Sequence, residues 1–204
     1  MKNNKTQKGF TLIELLVVIA IIAILAVVVV LTLNPAELLR QARDSNRISD
    51  FATIKSTISL YQEDVSTTTS LLGGATYRLL TADLTGTSPT SGYETAGTWG
   101  FLGGELGFST STNFSRAIDS SGWIPLNLNA ISSGAPISSW PVDPTNSGQN
   151  MYIYVATSTS PGTWKIATQM ESAKYKQNGS GDVSTGDGGN SSSTYEQGSN
   201  LTGL

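Results

Sequence analysis

The sequence predicts an α+β chain: a long N-terminal α-helix, membrane-spanning in its first half and amphipathic in its second, packed on a small antiparallel β-sheet. Three observations predict it. Residues 15–31 form an apolar run without charge, glycine or proline, long enough to cross a bilayer core as a helix. Phe51, Ile54, Ile58 and Tyr61 then recur at alternating three- and four-residue spacing, which makes one apolar stripe suited to lie on a sheet. Residues 150–156 are β-branched and aromatic, and residues 163–170 alternate with period two, as half-buried strands do.

The N-terminal element carries the strongest functional signal. A single carboxylate, Glu14, stands at the start of the apolar run, where an ionised acid costs on the order of a few kcal/mol in lipid. A compensating partner is therefore required. Lys2, Lys5 and Lys8 precede the run with no acid among them, and short positive flanks stay on the cytoplasmic side. The C-terminal bulk is then extracytoplasmic.

The segment Lys8-Gly9-Phe10-Thr11-Leu12-Ile13-Glu14-Leu15-Leu16 resembles the class III signal sequence of type IV pilins and type II secretion pseudopilins. The resemblance spans residues 8–31 and extends more weakly to about residue 64. It implies a type IV pilin-like fold, cleavage between Gly9 and Phe10 by a membrane prepilin peptidase, and N-methylation of Phe10. It further implies that Glu14 pairs with the Phe10 amine of a neighbouring subunit in a helical homo-oligomeric filament, built by a platform protein and an assembly ATPase. Members that form long pili have Gly and Pro where this chain has Ala23 and Leu31, a departure that leans toward a pseudopilin or a divergent pilin. Two plainer readings compete. An ordinary secretory signal shares the basic start and apolar core, but its small residues here (Ala20, Ala23, Ala26) are scattered with no polar cleavage region beside them. An unprocessed anchor leaves Glu14 and the Lys8-Gly9-Phe10 flank as coincidence.

Composition narrows the function classes. The 204-residue chain has 13% charged residues and a formal charge of -3; removal of Lys2, Lys5 and Lys8 takes it to -6 before the new amine is counted. That balance argues against a nucleic-acid partner, which needs a basic surface. With no His and no Cys, the chain lacks the usual transition-metal ligands, any Ser-His or Cys-His nucleophile pair, and a disulfide.

Beyond the span, Asn34-Pro35 predicts a hinge at residues 33–35, because Pro35 removes a helical hydrogen bond and disfavours helix at the residue before it. A helix running from Phe10 to about Asp64 is roughly 80 Å long, far more than a bilayer needs. Its outer half must hold up a domain. Arg40, Arg43 and Arg47 there read as partners for headgroups or for acids such as Asp44 and Asp50 on neighbours, or as a solvated face.

Residues 65–135 are rich in Gly, Ser and Thr with isolated aromatics, and read as a variable loop region with short elements near 77–84 and 114–119. Gly103-Gly104-Glu105-Leu106-Gly107 lacks the Lys-Ser/Thr of a phosphate loop and reads as a turn. Residues 157–162 read as a hairpin connection, and Pro141-Val142-Asp143-Pro144 resembles the turn that precedes an aromatic strand in major pseudopilins. Composition alone makes residues 178–200 disordered, with Tyr195, Leu201 and Leu204 as the anchors able to fold them onto the sheet. Asp182, Asp187 and Asn190 supply hard oxygen ligands for Ca2+, which the resemblance places in a corresponding loop, although their spacing is not that of an EF-hand.

The expected organisation is a leader at 1–9, a transmembrane or filament-core helix at 10–33, an amphipathic helix continuing into the head at 34–64, variable loops at 65–135 and a β-sheet region with a Gly/Ser-rich tail at 136–204. The expected function is that of a structural subunit, not an enzyme, in a pilus-like filament or secretion pseudopilus. The alternative is a membrane-anchored extracytoplasmic binding module or enzyme. It requires a cleft with convergent polar groups, and no acid/base constellation in residues 65–204 populates one.

Overall fold

The computed structural model describes residues 9–65, 77–79, 115–146, 150–156 and 162–201. The chain divides into two compact units, with the boundary between Leu39 and Arg40.

In the first unit, helix α1 spans Leu12–Leu33, about 33 Å at 1.5 Å per residue. Its stretch Leu12–Val30 is long and apolar enough to cross a membrane and is not buried within the chain. The hydroxyl of Thr32, near its end, donates back to the carbonyls of Val28 (3.0 Å) and Val29 (3.1 Å), so its polar hydrogen does not face lipid. One residue interrupts the helical path. Asn34 takes a left-handed conformation (φ 40°) and closes α1, which Asn tolerates better than other side-chain-bearing residues. Helix α2, Pro35–Val65, begins immediately after it. Asn34 also starts α2: its carbonyl accepts from the N–H groups of Glu37 and Leu38, while Pro35 fills the first helical position, where its missing N–H costs nothing.

In the second unit, α2 from Arg40 onward lies on a four-stranded antiparallel sheet. Its strands are β1 (Tyr77–Leu79), β2 (Ile153–Ala156), β3 (Trp164–Thr168) and β4 (Tyr195–Gly198), in the order β1-β2-β3-β4. The predicted stripe is the contact. Phe51, Ile54, Ile58 and Tyr61 are buried in one core with Tyr154, Trp164 and Ile166 of the sheet, with Tyr152 just ahead of β2, and with Trp123 and Trp140 of the preceding loops. Phe51 meets Tyr152 edge-on at 5.1 Å and stacks on Tyr195 at 5.5 Å, pairs worth about 0.5–1.5 kcal/mol each beyond their burial. Polar side chains fasten the same contact: Tyr152 donates to Asp50 (2.7 Å) and the Trp164 indole to Gln62 (2.9 Å).

Both predicted strands are present and pair antiparallel, shorter by a few residues than their sequence limits. The hairpin connection expected at 157–162 falls almost wholly outside the described residues, as do the glycine-rich turn at 103–107, Leu204 and most of the element expected at 77–84. The disordered tail that composition suggests is corrected by the structure: residues 178–201 fold, and β4 closes the sheet against β3. The small polar residues there build turns. Asp182 accepts from the N–H groups of Asn178, Ser184 and Thr185, the local bonding that Asp offers a turning backbone. Gly198 is required sterically, since a Cβ there would stand 2.2 Å from the Trp164 carbonyl across the strand pair.

Candidate functional site

The segment Gly9-Phe10-Thr11 leads into the first turn of α1. Thr11 is the N-cap, with extended backbone (φ -80°, ψ 153°), and its hydroxyl accepts the Glu14 N–H at 3.3 Å. Glu14 reaches back: its carboxylate accepts the Thr11 N–H and the Thr11 hydroxyl, each at 2.8 Å. This reciprocal capping box satisfies two of the helix's orphan donors and sets the acid at the positive end of the helix dipole. Glu14 thus has a partner within its own chain, which sequence reasoning missed although the spacing Thr-x-x-Glu announces it. Phe10 is 91% exposed. Gly9 has open space where a Cβ would stand and no left-handed backbone, so nothing among the described residues demands a glycine there.

A second polar centre sits in the head. The Asp44-Arg47 pair lies one turn ahead of Phe51 on the stripe of α2, and both side chains are fully buried. Arg47 binds Asp143 through two parallel bonds, Nε to Oδ2 at 2.6 Å and Nη2 to Oδ1 at 2.9 Å. It also donates to Asp44 (2.7 Å) and to Glu171 (2.5 Å), and Arg43 makes a further forked contact with Glu171. Three carboxylates face two guanidinium groups. The excess negative charge is spread over backbone donors: Asp44 accepts from the N–H groups of Glu171 and Ser172, and Asp143 from those of Thr145 and Asn146. This clasp ties α2 to the turn before β2 and to the segment that follows β3. The reading of Arg47 as part of a solvated or lipid-facing arginine cluster is therefore corrected: its guanidinium is consumed within the head.

The Arg43 hydrogen bond, acting against burial and helped by bonds from Arg47 and Thr145, lowers the Glu171 carboxyl to about 2 from an ordinary 4.5. A carboxylate whose folded pKa lies below its unfolded one stabilises fully above the unfolded value, and that contribution is lost as pH falls through the folded value. The thermal midpoint of the detergent-purified chain is accordingly expected to exceed that of Glu171→Gln above about pH 4.5, with the gap closing toward pH 2; near-ultraviolet dichroism of the buried tryptophans reads it. A gap independent of pH over that window contradicts the ionic role.

The residues considered for Ca2+ have separate local roles. Asp182 caps its own turn, Asp187 accepts from the N–H groups of Gly189 and Glu196, and Asn190 faces Lys165. Among the described residues no three His, Cys, Asp or Glu side chains gather as a metal-binding group.

Similarity to known proteins fits this geometry. Residues 4–30 match the family model described as the prokaryotic N-terminal methylation motif, the class III signal typical of type IV pilins and pseudopilins. The chain thus carries a prepilin-type N-terminus on a pilin-like α+β fold, and the motif implies a pilin or pseudopilin processed by prepilin peptidase. Proteins with it are generally non-enzymatic structural subunits, anchored in a membrane with an extracytoplasmic domain. Neither the curated proteins nor the solved structures gave a match.

Proposed function

We propose that this chain is a structural subunit of a type IV pilus-like filament or a type II secretion pseudopilus. It is held in the cytoplasmic membrane by α1 with its N-terminus inside, cut between Gly9 and Phe10, N-methylated on Phe10, and drawn into a helical homopolymer by a platform protein and its ATPase. The observation that carries the reading is an exposed apolar helix with one carboxylate in its first turn; the proposed cleavage would place a free amine four residues before that acid.

The capping box gives this assembly two defined states. In the isolated subunit, Thr11 and the helix end hold the Glu14 charge. In the polymer, the Phe10 amine of a neighbour offers a full positive charge, and a misregistered subunit leaves an acid unpaired in an apolar core. Asn34 and Pro35 supply the hinge between the filament core and the stalk of the head. Packing of Val, Ile, Leu and Ala surfaces provides the remaining association.

Gly9→Val is expected to block processing, so that the protein recovered from membranes retains the mass of its first nine residues; a mature mass identical to wild type contradicts the cleavage assignment. Electron microscopy of sheared surface filaments separates the two assemblies, since a pseudopilus is not normally seen outside the cell.

A further inference from the structure

The face of the sheet turned away from α2 holds a second buried charge pair that the clasp does not use. Lys165 of β3 and Glu196 of β4 are both fully buried, with Nζ 3.0 Å from Oε1. Their neighbours on that face, Ile153, Val155 and Ala167, are apolar and buried. A buried ion pair in such surroundings gains little over a packed hydrophobic pair, so its presence asks for a use. Two carbonyl oxygens complete the surroundings of the amine: Nζ lies 3.3 Å from the Leu201 backbone carbonyl and 3.5 Å from Oδ1 of the Asn190 carboxamide, in the loop that leads into β4.

Glu196 is held where it touches both sides. Its other oxygen accepts the Ser191 N–H at 3.2 Å, and the carboxylate rests on Gly189, where a Cβ would stand 1.7 Å from it. The acid is thereby fixed between the lysine amine and the backbone that carries Asn190. An amine and an acid 3.0 Å apart, both shielded from water, with an amide carbonyl beside the amine, are the components of intramolecular acyl transfer.

We propose that Lys165 and Asn190 form an intramolecular isopeptide bond, with Glu196 as the catalytic acid and base. One proton passes from Nζ to Oε1, which leaves a neutral amine and a carboxylic acid. The Nζ lone pair attacks Cγ of Asn190, and Glu196 returns its proton to the carbonyl oxygen as the tetrahedral centre forms. Glu196 then takes a second Nζ proton and hands it to the side-chain nitrogen, whose bond to Cγ breaks. The carbonyl re-forms, and the departing ammonia carries off the hydroxyl proton as ammonium. Nothing is oxidised or reduced and no co-reactant is consumed. The bond joins β3 to the tail ahead of β4 in a chain that has no cysteine, and closes a loop that resists unfolding under load as a disulfide would.

The test is a tryptic map of the full chain purified from membranes and denatured. Trypsin does not cut at an acylated lysine, so the bond predicts one branched species, residues 117–174 joined to 177–204, with a mass one ammonia below the sum of its parts. Cleavage after Lys165 together with a free 177–204 peptide overturns the proposal without recourse to any variant. Asn190→Ala, at an exposed position, is expected to give the unlinked map. Glu196→Gln is expected to do the same, and a branched species surviving in either variant overturns the assignment of that residue.

Discussion

Glu14→Ala is expected to leave the subunit inserted in the membrane and to lower polymer yield by about two orders of magnitude or more. That magnitude follows from the cost of leaving one member of a buried ion pair unmatched, about 3–5 kcal/mol per subunit contact, at about 1.4 kcal/mol per factor of ten. The substitution also removes the capping contacts with Thr11, typically worth about 1 kcal/mol, so the two causes need separation. Glu14→Gln separates them, because Gln serves the capping box as well as Glu does but carries no charge. Sheared-filament yield that stays low in Glu14→Gln assigns the effect to the charge pair. Wild-type yield from Glu14→Gln, with loss only in Glu14→Ala, assigns it to the cap and removes the role of the neighbour's amine.

The second large effect is expected in the head. Arg47→Met strands Asp44 and Asp143 beside an apolar side chain, in a place from which solvent is largely excluded, and leaves Glu171 to Arg43 and Thr145. The expected cost is about 3–5 kcal/mol, which lowers the thermal midpoint by roughly 10 °C or more in a domain of this size. Arg47→Lys is expected to fall between the two, since an ammonium keeps the charge and loses the forked geometry that spans Asp143. Thermal unfolding of the three proteins in the same detergent reads the order. A midpoint for Arg47→Met within a degree or two of wild type contradicts the clasp as the tie between α2 and the sheet.

The parts of the fold legible in the sequence were those set by periodicity. The apolar run of α1, the stripe from Phe51 to Tyr61 and the two central strands follow from spacing alone, and each is where spacing puts it. The clasp was hidden because its partners are remote in sequence: Asp143 and Glu171 lie 96 and 124 residues from Arg47. The signal it did leave was register. Asp44 and Arg47 continue the stripe of Phe51 toward the N-terminus, and charges in step with a buried face are themselves candidates for burial. The tail resembled a disordered segment because Gly, Ser and Asn are enriched both in disordered chains and in tight turns, and only the pairing of β4 with β3 distinguishes the two. The capping box at Thr11 was legible in its spacing, but the cost of Glu14 in lipid points outward to other subunits as readily as back to the preceding turn.

The polar centres of the chain have different partners. The head resolves its buried charges internally, through Arg47 and through Lys165 with Glu196. Glu14 is only partly resolved by Thr11, and the residual demand is what an added cation at the new N-terminus would meet. That reading depends on the amine existing. Terminal sequencing and intact mass of the protein taken from its native membrane test it directly: a chain that starts at Phe10 with one added methyl group is the expected result, and a chain that retains its first nine residues, or starts elsewhere, contradicts it.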